Sequence, residues 1–527
     1  MWRFFDKKNS AGELDFPALV FMLCGESARY YSVNGTRRFS YFCRYIRQRS
    51  IRSVVIEEDY VDRDYIRDYA DYYSLCFSPY PKLCKRCHLF SESYTEDDIR
   101  RIVLTGDKNS DKKLQESYEG FFVFRPLPQV AFGRTCFKRV PLITSREENK
   151  FPACVEIDVG FFGLRLSIEG MPFQEQDSNV AVCATSALWS AFQVTRFRFG
   201  HSACSPSAIT RLATSDVAFP NRGLSVEEMI HAISSVGLGV YHEFDSSSDE
   251  AGIDYSLVKA IAFAYLDMGL PIVLVGVLEK KVINSDKPNR EFMGFHAVTV
   301  CGYKFNRHRP LLKNKSASPK VSDGIAMLFC ADDQVGPYCQ MKEMEGAESE
   351  RNRWCTQWGN DLPTPVDDVT FRATNILVPL YRKIRVSYDV IESLAVKFFP
   401  SVIQAAKKHT GAVIHNAQWS IQLKECNRFK EEIRNSGWLS AEVVAKILFA
   451  NCPKYVWCVS AYISRFPLLT FVLDATDISQ GEHVIFAIRY GDVLRKVVEE
   501  LRSNQAFMMH PFTVAYCSKD CLEYSYA

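Results

Sequence analysis

The segment at residues 174–192 reads Gln-Glu-Gln-Asp-Ser-Asn-Val-Ala-Val-Cys-Ala-Thr-Ser-Ala-Leu-Trp-Ser-Ala-Phe. It is polar in its first part and apolar in its second, and Cys183 lies at the change. Leu188 and Phe192 then follow with a spacing that is typical of one face of a helix. The segment therefore predicts a loop followed by a helix that begins near Cys183, with the thiol at the N-terminus of that helix.

Polar side chains also lie at the ends of two predicted strands further along the chain. Residues 294–303 read Gly-Phe-His-Ala-Val-Thr-Val-Cys-Gly-Tyr, and His296 opens the strand. Residues 327–337 read Met-Leu-Phe-Cys-Ala-Asp-Asp-Gln-Val-Gly-Pro, and Asp332 and Asp333 close the next strand. Cysteine, histidine and acid are the parts of a thiol nucleophile with its base and its orienting carboxylate. We prefer Asp332 as the orienting group because it ends the strand, and Asp333 remains the alternative.

A thiol nucleophile needs help, because a free cysteine with a pKa near 8.5 is mostly protonated at neutral pH. A helix N-terminus supplies partial positive charge, and a nearby imidazolium supplies a full one. Acyl transfer also needs donors for the developing oxyanion. The backbone N–H of Cys183 is one candidate, and the side-chain amide of Gln176 is the second, with Gln174 as the alternative.

Each of these residues also has a purely structural explanation. A cysteine before an apolar helix can simply pack, a histidine on an apolar strand can be a hydrogen-bonded core residue, and paired aspartates often mark a turn. Their occurrence together, in this order and on matching element types, favours an active site.

The length of 527 residues exceeds what one hydrophobic core usually serves, and it predicts two to four domains. We predict a mixed α/β region at 1–150, a catalytic domain at 151–345 and a C-terminal α/β region at 346–527. In the middle region helical patterns come first and strands later, which predicts an α+β fold. The polar segment 344–368 is the best candidate for a linker.

The composition is that of an ordinary globular protein, with 47% hydrophobic and 24% charged residues. A formal net charge of +2 gives no indication of a nucleic-acid partner. We expect no membrane segment and no signal peptide, since no apolar run is long enough for either, and this predicts a cytoplasmic location.

The 18 cysteines are scattered, and many lie in apolar runs, as expected of reduced, buried thiols. One cluster, Cys84-Lys-Arg-Cys87-His88 with Cys76 upstream, could bind zinc, although we favour a structural role. No cofactor is expected.

The blocks Gln…Cys-Ala-Thr-Ser-Ala-Leu, Gly-Phe-His-Ala-Val-Thr-Val-Cys-Gly-Tyr and Asp-Asp-Gln-Val-Gly-Pro together resemble the papain-like cysteine peptidase superfamily. The nearest type is that of the bacteriocin-leader-processing (double-glycine) peptidases. The resemblance covers about a third of the chain and implies Cys183 as nucleophile, His296 as base, Asp332 as orienter and Gln176 in the oxyanion hole. It differs from the family in the seven-residue step from Gln176 to Cys183 and in a longer interval between histidine and aspartate, which residues 304–321 would explain as an insertion.

The sequence therefore predicts a cysteine hydrolase, a peptidase or isopeptidase that cleaves a polypeptide through a thioester. Two alternatives remain open. The same fold could transfer the acyl group to an amine, as an acyltransferase or a transglutaminase-like enzyme does, or it could be a non-catalytic binding scaffold. A regulatory protein partner is also possible in sequence terms, although no residue identifies one.

Overall fold

The computed structural model describes residues 1–139, 144, 146–177, 182–214, 222–246, 251–282, 290–306, 319–345, 350–358, 366–410, 417–463, 466–478, 484–490, 505–517 and 521–523. Helices pack against sheets whose strands are antiparallel, apart from one parallel pair near the C-terminus. The predicted α+β class is confirmed.

The N-terminal region is a five-stranded sheet with helices on both faces. Its strands lie in chain order: β1 (Trp2–Phe5), β2 (Ser53–Tyr60), β3 (Cys84–Phe90), β4 (Tyr118–Phe124) and β5 (Phe132–Phe137). The helices are α1 (Phe16–Cys24), α2 (Ser27–Asn34), α3 (Arg37–Gln48), α4 (Arg63–Asp71), α5 (Glu96–Thr105) and α6 (Lys108–Ser117). Successive residues of a strand face opposite sides. Val54 accordingly packs with Phe42 of α3, and Val55 packs with Tyr65 of α4.

The same alternation decides the role of the cysteine cluster. Cys84 and Cys87 both lie on β3, but they belong to the hydrophobic cores on opposite faces of the sheet. The His88 ring lies 2.7 Å from Glu57 Oε1 and 3.0 Å from the Tyr118 hydroxyl. Within the described ranges these residues form no group that could hold a metal ion.

The central region is built around a closed barrel. Its elements are β6 (Glu147–Lys150), β7 (Val155–Phe161), β8 (Leu164–Gly170), α7 (Cys183–Phe199), α8 (Pro206–Ala213), α9 (Val226–Ser235), β9 (Gly239–Phe244), α10 (Tyr255–Leu266), β10 (Ile272–Lys281), β11 (Arg290–Asn306), β12 (Ile325–Asp332), β13 (Gly336–Glu343), β14 (Arg353–Thr356) and β15 (Val366–Leu380). Strands β10 to β15 pair in that order, and β15 pairs back onto β10, which closes the barrel. β9 also pairs with β15, and β6 pairs with β11.

The barrel includes strands that lie beyond the boundary predicted at residue 345. β14 and β15 both follow that position, and β14 lies inside the segment 344–368 that was predicted as a linker. Side chains of β14 alternate between half-buried and buried, with Trp354 fully buried. Because only alternate residues of a short strand are apolar, the segment has a polar composition although it is paired in the barrel.

Helix α7, which begins at Cys183 as predicted, packs along the outside of the barrel. Leu188 and Phe192 belong to one hydrophobic core with Ala297 of β11. The Thr299 hydroxyl donates a hydrogen bond of 2.7 Å to the carbonyl oxygen of Ala187. These contacts fix the N-terminal end of α7 beside the part of β11 that carries His296.

The C-terminal region is a second five-stranded sheet with helices. It contains α11 (Tyr388–Thr410), β16 (Ala417–Glu425), α12 (Cys426–Asn435), α13 (Ala441–Phe449), β17 (Tyr455–Ile463), β18 (Phe466–Asp474), β19 (Val484–Arg489), β20 (Leu522–Glu523) and the short helices Gln505–Met508 and Pro511–Cys517. The sheet order follows the chain. Trp457 Nε1 donates 2.9 Å to the carbonyl oxygen of Val386, which ties β17 to the chain that leaves the barrel.

None of the helices in the described part of the chain combines the length and the apolar character needed to cross a bilayer. The predicted insertion at 304–321 lies mostly outside the described residues.

Candidate active site

Cys183 is the first residue of α7 and is partly exposed. The preceding residue, Val182, has an extended backbone and provides no side-chain cap for the helix. Val182 therefore offers no side-chain acceptor to the N–H groups of the first turn, and the dipole of the helix favours negative charge at this end. The residues that follow, 184–195, are buried, so the chain anchors the helix while its first residue remains accessible.

His296 lies on β11 with only 2% of its surface exposed. Its Nε2 is 3.2 Å from Asp332 Oδ1 and 3.9 Å from Asp333 Oδ1. The thiol of Cys183 also lies close enough to the imidazole to raise the pKa of His296. Because Nε2 faces the carboxylates, Nδ1 is the ring nitrogen left for the thiol. The structure thus brings together the three residues that sequence analysis selected from segments far apart in the chain.

The electrostatics of this group favour a protonated imidazole. Burial lowers the pKa of His296, but the charge of Asp332, the hydrogen bond to Asp332, the neighbouring Cys183 thiol and the charge of Asp333 outweigh it. The pKa of His296 is therefore well above its ordinary value. Burial raises the pKa of Asp332, but His296, Trp358 and Gln334 bring it below the ordinary value. An imidazolium paired with a carboxylate is the form that stabilises an adjacent thiolate.

Asp332 is held by two further donors. Trp358 Nε1 donates 2.7 Å to Asp332 Oδ2, and the backbone N–H of Gln334 donates 3.0 Å to Oδ1. The indole ring also lies edge-on to the His296 ring, with 5.0 Å between centroids. Asp333, in contrast, is buried, and neither of its carboxylate oxygens accepts a hydrogen bond from a residue in the described part of the chain. The nearer and better supported carboxylate is that of Asp332.

Gln176 reaches this group through Gln334. Gln334 Nε2 donates 3.1 Å to Gln176 Oε1, which leaves the amide nitrogen of Gln176 as a donor for another group. Gln174 is buried, and its amide nitrogen has no hydrogen-bond partner. Residues 178–181, between these glutamines and the thiol, lie outside the described part of the chain.

One group of side chains could also hold a cation. His296, Asp332 and Asp333 each offer a ligand atom, and these atoms lie within 4.8 Å of one another. Within the described residues no other group of this kind occurs. Both oxygens of Asp332 already accept hydrogen bonds, however, and the ring nitrogen that faces the group is paired with Asp332. The arrangement fits an oriented base better than a set of free metal ligands.

Four residues in or next to the site were not found by sequence analysis: Trp358, Gln334, Arg37, which contacts Trp358, and Arg38, which pairs with Glu175. Trp358 lies in the polar segment that predicted a linker, and the two arginines lie in the N-terminal region. Gln334 directly follows the aspartate pair, and this position is the one feature of the sequence that could have indicated any of these four residues. The others act through contacts between distant parts of the chain.

Comparison of the sequence with known proteins gives no match, either to a protein-family model or to a curated protein. The chemistry of the site is therefore inferred from its own side chains.

Replacing Trp358 with phenylalanine is expected to destabilise the fold by about 1–3 kcal/mol. The ring that packs on His296 is kept, but the buried Asp332 Oδ2 loses its N–H donor, and an unsatisfied buried acceptor costs about that much. Urea unfolding at pH 7 measures the change. Trp438→Phe is the matched control, since Trp438 is 45% exposed. Equal and small losses in the two variants would contradict the role given to the indole N–H.

Asp333→Asn is expected to stabilise the protein more at pH 8 than at pH 5. Burial and the charge of Asp332 raise the pKa of Asp333 to about 7. The folded chain therefore keeps a proton that the unfolded chain releases, so this group lowers stability as the pH rises from about 4 to about 7. The amide removes that dependence, and the gain over wild type should grow by about 2–3 kcal/mol between pH 5 and pH 8.

Urea unfolding of the variant and wild type at both pH values measures this difference. Asp158→Asn, on the exposed side of β7, serves as the control and should show no such dependence. An Asp333→Asn gain that is the same at pH 5 and pH 8 would mean that Asp333 is already ionised at pH 5.

Proposed function

We propose that this protein is a cysteine hydrolase with a papain-like core, a peptidase or isopeptidase that cleaves a polypeptide through a thioester. The observation that carries the proposal is the buried imidazole of His296, which is hydrogen-bonded to Asp332 and close enough to the Cys183 thiol for that thiol to raise its pKa. A partly exposed thiol at a helix N-terminus, next to a charged imidazolium, is the environment of a reactive cysteine. A helix that begins at the nucleophile and packs against an antiparallel sheet that carries the histidine and the aspartate is also the arrangement expected of a papain-like core.

The reaction would use these residues as follows. The Cys183 thiolate attacks the carbonyl carbon of the substrate, and the oxyanion accepts hydrogen bonds from the Cys183 backbone N–H and the Gln176 amide. The C–N bond then breaks, and His296 gives its proton to the leaving nitrogen. Water, from which His296 takes a proton, hydrolyses the thioester and restores the thiol. Asp332 stays ionised throughout and keeps the ring in place.

Exposed aromatic side chains on the strand that carries the base support a polypeptide substrate. Phe292 and Phe295 are 58% and 76% exposed, and their ring centroids are 5.4 Å apart. A β-bulge between β10 and β11 places Met293 as an extra residue between them, so both rings lie on one face of β11. Large apolar side chains of a bound polypeptide could pack on these rings.

Labelling with a peptidyl vinyl sulfone, followed by mass spectrometry of the digested protein, tests the proposal. Wild type should be modified at Cys183, and Cys183→Ala should remain unmodified under the same conditions. Cys43→Ala is the matched control, since Cys43 is also partly exposed, and it should leave the label at Cys183. Labelling spread over several cysteines, or unchanged in Cys183→Ala, would exclude this residue as the nucleophile.

A further inference from the structure

Two adjacent arginines on α3, in the N-terminal region, contact residues that lie next to the reacting groups of the candidate active site. Arg38 forms an ion pair with Glu175, which lies between the two candidate oxyanion glutamines. Arg37 donates 3.0 Å from Nε to the carbonyl oxygen of Trp358, and its guanidinium lies 4.9 Å from the centre of the indole ring. Neither residue touches Cys183 or His296 in these contacts. Their charges also act on the aspartates of the site, that of Arg37 on Asp332 and that of Arg38 on Asp333.

The contacts of Glu175 show how Arg38 would act. Glu175 is 1% exposed, and its Oε2 accepts 2.8 Å from the backbone N–H of Phe132. Arg125 donates 3.2 Å to the carbonyl oxygen of Glu175. Burial raises the pKa of Glu175, and Arg38 and Arg125 oppose that shift. A buried carboxylate is costly without a paired charge, so loss of Arg38 would release or displace the backbone that carries Gln176.

The contacts of Trp358 show how Arg37 would act. Trp358 donates to Asp332, and Asp332 orients His296. Arg37 holds both the carbonyl group and the ring face of Trp358, through a hydrogen bond and a cation–π contact. The carboxylate that sets the protonation of His296 is thus fixed through a tryptophan that the N-terminal region holds.

We propose that Arg37 and Arg38 are positioning residues of the active site: Arg38 fixes the loop that carries Gln176, and Arg37 fixes the Trp358–Asp332 pair. The proposal rests on the hydrolase function proposed above. The N-terminal region is then a required part of the site, because α3 carries both arginines. This helix lies more than a hundred residues before the nucleophile in the chain.

The test uses the full chain and the hydrolysis of an N-acetylphenylalanine p-nitrophenyl ester. Arg38→Met keeps the aliphatic stem and removes the charge, and kcat should fall by at least about tenfold with KM changed less than about threefold. Arg38→Lys should restore kcat to within about threefold of wild type, since only a single close charge contact to Glu175 is needed. Arg47→Met is the control, because Arg47 lies on the same helix and pairs with Glu13 at the surface.

Arg37→Met should have a different effect, on the pH profile. If the Asp332 carboxylate is held less firmly beside His296, the pKa of His296 falls. The basic limb of kcat/KM should therefore move to lower pH by about half a unit or more. Arg47→Met should leave both limbs in place. The pH values at which the two limbs fall do not depend on how much of the protein is folded.

The experiments distinguish a failure of the hydrolase function from a failure of the positioning role of the two arginines. If wild type neither hydrolyses the ester nor takes the vinyl sulfone at Cys183, the hydrolase function fails and this proposal with it. If wild type does both, but Arg37→Met and Arg38→Met keep its kcat and its pH profile, only the positioning role is overturned. An Arg38→Lys variant as slow as Arg38→Met would equally overturn the role of the Arg38 charge.

Discussion

Replacing His296 with alanine is expected to lower kcat/KM by about 10³-fold or more. General acid–base catalysis alone contributes about 10²–10⁴-fold. The variant also loses the imidazolium that stabilises the Cys183 thiolate, so less of the nucleophile is ionised at neutral pH. Ester hydrolysis with purified variants measures the loss.

The control for this prediction is His231→Ala. His231 lies on α9, where its Nδ1 is 2.8 Å from the carbonyl oxygen of Leu212, and it has no described contact with the site. It should keep nearly wild-type kcat/KM. A His296→Ala enzyme within tenfold of wild type would mean that this imidazole is a core residue and not the base.

Asp332→Asn is expected to reduce kcat/KM by about 10²–10⁴-fold while changing the volume of the side chain little. Both oxygens of Asp332 accept hydrogen bonds, so an amide at this position places an N–H₂ group against Trp358, Gln334 or His296. Loss of the charge also lowers the pKa of His296 towards its ordinary value. In a Ser-His-Asp enzyme the same change lowers kcat by about 10⁴-fold, because the ring then takes the wrong tautomer.

Asp333→Asn is the matched variant, since the two aspartates are neighbours and equally buried. Its Oδ1 lies 3.9 Å from His296 Nε2, beyond hydrogen-bonding distance, so kcat/KM should change less than about fivefold. The pair therefore decides between the two carboxylates that sequence analysis left open. A larger loss in Asp333→Asn than in Asp332→Asn would assign the orienting role to Asp333.

Local patterns predicted the elements that carry the reacting groups. The start of α7 at Cys183 follows from a polar loop that meets an apolar helix, and β11 and β12 follow from apolar runs that end in polar residues. The helices at Ser205-Pro206 and Ser225 begin as their capping residues indicate. In each of these elements the signal lies within about ten residues of the position it determines.

The groups that hold the reacting residues could not be predicted in this way. Trp358 meets Asp332, and Arg37 meets Trp358, only because the barrel closes and α3 packs against it. Neither contact leaves a trace in spacing or composition. The closing strand β15 lies after a segment whose polar character indicated a linker. Partners that are brought together by the fold are set by long-range packing, which one sequence does not display.

The rate at which iodoacetamide alkylates Cys183 at about pH 7 tests most directly whether Cys183 and His296 act as a pair. Cys183 is followed by mass spectrometry in wild type and in His296→Ala. We expect alkylation to be at least about tenfold faster in wild type, because a neighbouring imidazolium favours the reactive thiolate. Equal rates in the two proteins would contradict the pairing of thiol and imidazole.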